Sequence, residues 1–323
     1  MLDVEKVDPV FILGMPRSGT NYLSDLLCLH DRCAPARAPI REDFFLEASD
    51  HLLHYASDLQ ERWDPTWGVF EDDLIRQFYE RLGDGLISFL WVERERRLVA
   101  KTASVRHLDR FFMFFPRARL LIVVRDGRSV VQSSMSTFGW DFDLAARKWA
   151  AAADEIRRFC AEDRPATDRY RLVHYEDLLD DLRRALSSIL RFLELEEDTF
   201  DWAAAADLPV RGSSSYFGPG RDSVHWDPVQ RTPDFDPKER WRSWSREMHE
   251  RFEWIAGSQL RHLGYRSETE PVVGPAQALT HRFLDWRWQA KTATRVAIYR
   301  ARVTLGTATL PLRKRLGLVR RER

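Results

Sequence analysis

The chain has 323 residues, 44% hydrophobic and 31% charged, enough apolar material for a sizeable buried core. Its 50 basic and 50 acidic side chains cancel to a net charge of zero, which argues against a nucleic-acid binder and leaves any anion site to a local cluster. No apolar run approaches the roughly 18 residues of a membrane-spanning helix, the N-terminus is acidic rather than a secretory signal, and Cys28, Cys33 and Cys160 match no metal spacing; a cytoplasmic chain with reduced thiols and no metal is expected.

Pro9 to Leu13 is a short apolar run ending at Gly14, the pattern of a buried strand. After Gly19, Tyr22, Leu23, Leu26 and Leu27 recur at helical spacing. Residues 31–43 are loop-like, and 44–62 and 71–92 are expected to be helical. Arg97 to Ala100 forms a second strand ending at Lys101, and 104–115 a further helix. Arg119 to Val124 is the strongest strand signal, followed by Arg125-Asp126-Gly127 and a helix from about Ser129. A helix over 143–160, a strand over 171–175 and a helix over 181–193 come next. Residues 207–240 are rich in Pro, Gly, Ser and aromatics and read as a long functional loop or lid, with 216–237 covering the acceptor. Trp241 to Leu263 is helical again.

Strands alternating with helices predict an α/β fold, a parallel sheet flanked by helices on both faces. Ligands of such sheets bind where strands hand over to loops. Residues 14–20, 101–102 and 125–133 all follow strands.

Gly14-Met15-Pro16-Arg17-Ser18-Gly19-Thr20 has the outline of a phosphate loop, with glycines for close backbone approach and a helix start for N–H donors. A nucleoside-triphosphatase loop would carry Lys at 20 and Ser or Thr at 21. Thr20 and Asn21 stand there instead, and the cation is Arg17 inside the loop. That arrangement suits a shorter anion. Arg125 and Ser133, eight apart across a strand end and a helix start, can meet at one phosphate; a surface ion pair of Arg125 with Asp126 or Asp177 is the alternative.

Pro16 to Leu23 resembles the 5′-phosphosulfate loop of sulfotransferases that use 3′-phosphoadenosine 5′-phosphosulfate (PAPS). Val123 to Ser133 resembles the family's 3′-phosphate element, Val173-His174-Tyr175-Glu176-Asp177-Leu178 its Tyr-Glu-Asp segment, and Lys101-Thr102 its post-strand lysine. The resemblance covers roughly residues 9–265 and implies a P-loop-like sulfotransferase fold with sulfuryl transfer from PAPS and adenosine 3′,5′-bisphosphate as product. It places Arg17, Ser18, Gly19, Thr20 and Asn21 on the phosphosulfate, Arg125 and Ser133 on the 3′-phosphate, and Tyr22 and Tyr175 beside adenine or in the core. Arg211, Gly212 and Ser213 would form the late cofactor-covering loop. Lys101 would act on the leaving oxygen. Cytosolic members carry a His where Ala103 stands, so the base is expected to be a carboxylate, as in tyrosylprotein and many carbohydrate branches: Glu42, with Asp43 second, unless these cap a following helix.

The acceptor is unidentified: a carbohydrate, a lipid-linked compound or a small metabolite. Several of the 12 tryptophans, among them Trp63, Trp67, Trp91, Trp140, Trp226, Trp241 and Trp244, could line its cleft. Domain boundaries are expected at 1–270, catalytic, and 271–323, a basic helical extension in contact with an anionic membrane or a subunit. The competing readings are a kinase with a degenerate phosphate loop and a non-catalytic nucleotide-binding protein.

Overall fold

The computed structural model describes residues 8–40, 42–67, 71–161, 167–209, 211, 230, 237–266 and 274–315. The chain forms two compact units: Met1–Ser245 with Ile255–Glu268, and Arg246–Trp254 with Thr269–Arg323.

The larger unit is built on a five-stranded sheet. Strand β1 (Val10–Gly14) leads into α1 (Thr20–Leu27), and a short β2 (Cys33–Pro35) follows. After α2 (Ser49–Glu61) and α3 (Asp72–Leu90) come β3 (Arg97–Thr102), α4 (Phe111–Phe114) and β4 (Arg119–Val124). Then α5 (Gly127–Phe138), α6 (Phe142–Ala161), β5 (Tyr170–His174), α7 (Tyr175–Asp180), α8 (Leu182–Phe192) and α9 (Trp202–Ala206) complete its main elements. All pairings are parallel, in the order β2-β3-β1-β4-β5. The expected α/β architecture is thus observed.

Both faces of β1 are covered, which is why it reads as an unbroken apolar run. Val10 and Ile12 join a buried cluster with Leu23, Leu26, Leu27 and Leu190. Phe11 points the other way, its ring 5.5 Å from that of Phe111 and 4.6 Å from that of Phe115. Alternate residues of one strand therefore anchor helices on opposite faces.

The chain departs from β1 toward β3 on one side and β4 on the other, so the order reverses there. A crevice opens at the carboxyl ends of strands flanking such a switch. Gly14, Thr102 and Val124 all end strands at that edge.

Several element boundaries differ from expectation; of the helix expected over 104–115, only a tight turn at Leu108–Arg110 and the short α4 form. The helix expected from residue 44 starts at Ser49, because Phe44 takes a left-handed backbone (φ 51°) and the chain turns before the helix can begin. The loop over 31–43 contains β2, too short to show a period. The helix expected from Trp241 is a single tight turn over Arg240–Ser243 before α10 (Arg246–His262).

In the smaller unit the helix α11 (Pro275–Arg315) carries His281 and Asp285 inward. Arg251 of α10 is buried and donates to Asp285 at 2.8 Å and to the His281 carbonyl at 3.2 Å. The Trp254 indole donates to the other Asp285 oxygen at 2.9 Å, and its ring stacks on His281.

Candidate active site

The loop between β1 and α1 is a tight turn in which the Ser18 N–H donates to the Met15 carbonyl at 3.0 Å. Arg17 (φ 75°) and Gly19 (φ 104°) both occupy the left-handed region. Gly19 is required there twice over. A Cβ at this position would also lie 2.3 Å from the Tyr175 ring, which packs beneath the loop. Helix α1 begins at Thr20, so the backbone N–H groups of its first turn lie at the end of this loop.

Three expected anion ligands from distant segments meet here. Arg17 Nε donates to Ser133 Oγ at 2.9 Å. Arg125 Nη1 donates to the Arg17 carbonyl at 2.7 Å, and its guanidinium carbon lies 4.7 Å from the centre of the Tyr175 ring. Arg125 also donates to the Pro237 carbonyl, and Ser129 to that of Lys238. The alternative ion pair of Arg125 with Asp126 is taken by Arg128 instead, at 3.0 and 2.6 Å. Glu176 fastens the cradle from behind. It accepts from the Asp126 N–H at 2.9 Å and from the Tyr265 hydroxyl at 2.8 Å.

Burial, followed by the charges of Arg125 and Arg240, brings the Arg17 guanidinium down to about 10. Three like charges close enough to repel one another thus converge on the loop. Ser18 Oγ and Arg125 Nε are buried with no hydrogen-bond partner among the described residues.

Arg240 has no counterpart among the sequence expectations. It lies far along the chain, and only the return of the segment from Pro237 to Ser243 onto α5 brings it near. Arg211 is placed elsewhere than beside Arg125: it pairs with Asp25 of α1. Gly212 and Ser213 lie outside the described residues, as do Arg41 and nearly all of the lid segment. Tyr22 packs edge-on to Tyr175, ring centres 6.0 Å apart, at the margin of the core.

A second cluster sits at the end of β3. Lys101 Nζ contacts Glu42 Oε1 at 2.8 Å, both side chains largely shielded. Thr102 donates its hydroxyl to Asp43 Oδ2 at 2.8 Å, and the Phe45 N–H donates to Asp43 Oδ1 at 2.9 Å. Burial raises the Asp43 carboxyl above its ordinary value. The two carboxylates thus have different surroundings: Glu42 faces a cation, whereas Asp43 has both oxygens committed to the chain itself. Neither caps α2, whose start carries no side-chain cap.

Beside this cluster lies a groove of about 530 Å³. Pro16, Phe44 and Ala103 form one wall and Ala151 and Ala152 of α6 another, with Trp140 at its side. Of the tryptophans expected near an acceptor cleft, Trp140 lines this groove. Trp91, Trp241 and Trp244 are buried, and Trp226 lies outside the described residues.

The model of a family described as the sulfotransferase family matches residues 9–199, more than half of the chain. Protein-tyrosine sulfotransferase 1 of Danio rerio is 28% identical over 197 residues, covering 58% of this chain and 53% of that protein. The protein-tyrosine sulfotransferase of Drosophila melanogaster is 26% identical over 203 residues, covering 58% of this chain and 38% of that protein. The chain therefore spans about half or less of the length of these curated relatives. Among solved structures, the sulfotransferase domain from the Synechococcus PCC 7002 olefin synthase superposes with a TM-score of 0.49 and 21% identity, covering 81% of this chain and 98% of that one.

Proposed function

The chain belongs to the sulfotransferase family, and from that premise we propose that it is a sulfotransferase that moves a sulfuryl group from PAPS to a hydroxyl or amine of its acceptor, leaving adenosine 3′,5′-bisphosphate. The observation that carries the donor assignment is the convergence of Arg17, Arg125 and Ser133, with Arg240 in electrostatic range, around unpartnered buried polar atoms. Such a cradle fits a doubly anionic nucleotide. PAPS supplies an activated sulfuryl group on a phosphosulfate linkage.

The residues divide the work by position. Arg17, the α1 N–H groups of Thr20 and Asn21, and Ser18 hold the phosphosulfate end, while Gly19 lets the backbone come close. Arg125 and Ser133 hold the 3′-phosphate. Tyr22 borders the adenine; Tyr175, buried under Gly19, supports the loop from below. Arg211, Gly212 and Ser213 remain the proposed cover. Arg211 would exchange Asp25 for the nucleotide.

Glu42 takes the proton from the acceptor oxygen, and Lys101 stabilises charge on the leaving oxygen. Their contact supports this pairing: the ammonium holds the Glu42 side chain at the end of β3. The fixed hydrogen bonds of Asp43 favour Glu42 over Asp43 as the base. A cytoplasmic location and a peripheral role for the tail accompany the proposal. Support for the latter is an exposed stripe of Leu279, Phe283 and Trp286 flanked by Arg282, Arg287 and Lys291, suited to an anionic bilayer or a second subunit.

Calorimetric titration with adenosine 3′,5′-bisphosphate tests the donor site. Arg17→Ala and Arg125→Ala should each weaken binding roughly ten- to a hundred-fold, the range for losing a hydrogen bond to a charged group. Affinity unchanged in both variants would remove the cradle.

A further inference from the structure

The groove lined by Phe44 and Ala103, next to the cavity of Asp43 and Thr102, has an uneven distribution of charge. Phe44 at its inner wall leaves 46% of its surface exposed, on a backbone with φ 51°. An aromatic side chain held out on left-handed backbone is unfavourable unless something covers it. Across from it, α6 contributes Ala151 and Ala152, so the walls are apolar and the gap is set by two methyl groups. A space of about 530 Å³ suits a small molecule.

The charged lining residues fall into two classes. Arg158 is paired with Glu155 one turn away, and Arg106 stands 3.9 Å from Asp50. Lys148 and Glu47 have no ion-pair partner among the described residues. Lys148 lies over the Trp140 ring at 5.0 Å, a contact that orients the ammonium without neutralising it. Glu47 marks the inner end, because it also borders the small cavity shared by Asp43 and Thr102. Arg106 borders the same small cavity and is partly offset by Asp50, so Glu47 and Arg106 share the inner end while the unpaired cation Lys148 stands on the α6 wall.

We infer that this groove takes a small alcohol with a flat apolar body and an anionic group remote from its hydroxyl, and that Lys148 reads the anion. Lys148 orients the molecule: it draws the anion to the α6 wall, and the neutral hydroxyl is left at the inner end, where the chain runs back from Phe44 through Asp43 to Glu42. The inference rests on the sulfotransferase reading above and adds the class of acceptor.

Ligand-observed NMR titration tests it with three probes that share a benzyl alcohol: 4-(hydroxymethyl)phenylacetate, 4-methylbenzyl alcohol and 4-(aminomethyl)benzyl alcohol. The full-length protein is titrated with and without adenosine 3′,5′-bisphosphate. The anionic probe should bind tightest and the cationic one weakest. Lys148→Gln should reduce the preference for the anion about threefold and Lys148→Glu should reverse it, as expected for a partly screened charge pair. Ala152→Trp should block all three, with Ala151→Trp as a second blocking variant should the first fail to fold. Equal affinities, an order unmoved by Lys148→Glu, or no binding of any probe would overturn the inference. Nucleotide affinity in the same samples should be unchanged in every variant. Loss of nucleotide binding in the parent protein would instead count against the donor reading, while the nucleotide-free titrations still decide the groove.

Discussion

Glu42 and Asp43 are neighbours in sequence with opposite surroundings, and the difference predicts different mutant behaviour. Glu42→Gln keeps the shape but cannot take a proton, so bisphosphate affinity should persist while transfer from PAPS falls about a hundredfold or more. Asp43→Asn should retain most turnover, since Asp43 accepts from Phe45 and Thr102 and an amide oxygen can still serve the Phe45 N–H. Full turnover in Glu42→Gln would transfer the role of base to another group. Asp43 also leaves a signature in stability. The fold holds its proton more tightly than the unfolded chain, so stability falls as pH rises from the ordinary 3.8 through the higher folded value. The melting temperature of Asp43→Asn relative to the parent should therefore rise with pH across that window and level off above it. A difference that grew toward acid would contradict a raised carboxyl. At this scale Arg17, Arg125 and Ser133 were legible because each sits at a fixed offset from a strand end. Arg240 was not, because its proximity to Arg17 is made by a chain return with no periodicity to read. The committed state of Asp43 was equally hidden, since it depends on Thr102, a partner 59 residues away.

At the scale of elements, two close approaches hold the strand-to-helix turns in place. Gly19 lies against Tyr175, and Gly127, the first residue of α5, lies against Trp149 of α6, where a Cβ would fall 2.6 Å from the ring. Gly19→Ala must bear a left-handed backbone, about 1–2 kcal/mol, and also push the loop off Tyr175. We expect a lowered melting temperature and weakened bisphosphate binding together. Normal binding by a stably folded Gly19→Ala would show that the loop tolerates movement. The strands β1, β3 and β4 were legible because burial on both faces makes them continuous apolar runs bounded by polar residues. The start of α2 was not, because Phe44 and Phe45 extend the helical apolar pattern into a turn whose direction is set by Asp43 and by the backbone at Phe44. Three-residue β2 carries too little sequence to show any period.

For the whole molecule, the order of motifs along the chain carried the family, which no single short motif could do. The limits of the extension were less accessible, because they depend on which helix Asp285 meets. We propose a catalytic domain over 1–270 and a basic helical extension over 271–323. Ending the chain at residue 270 should abolish sedimentation with anionic vesicles yet preserve bisphosphate binding. It should also lower stability, because buried Arg251 loses Asp285, and an unpaired buried charge costs about 3–5 kcal/mol. Vesicle binding that survived this truncation would locate the membrane contact elsewhere. The most direct measurement is the thermal shift of the intact protein with adenosine 3′,5′-bisphosphate, ATP and AMP at equal concentrations, because a ligand that binds only the folded state raises apparent stability with its affinity. Two cationic ends and a loop without the triphosphatase lysine predict the largest shift from the bisphosphate and little from ATP even with magnesium. A larger shift with ATP would contradict them.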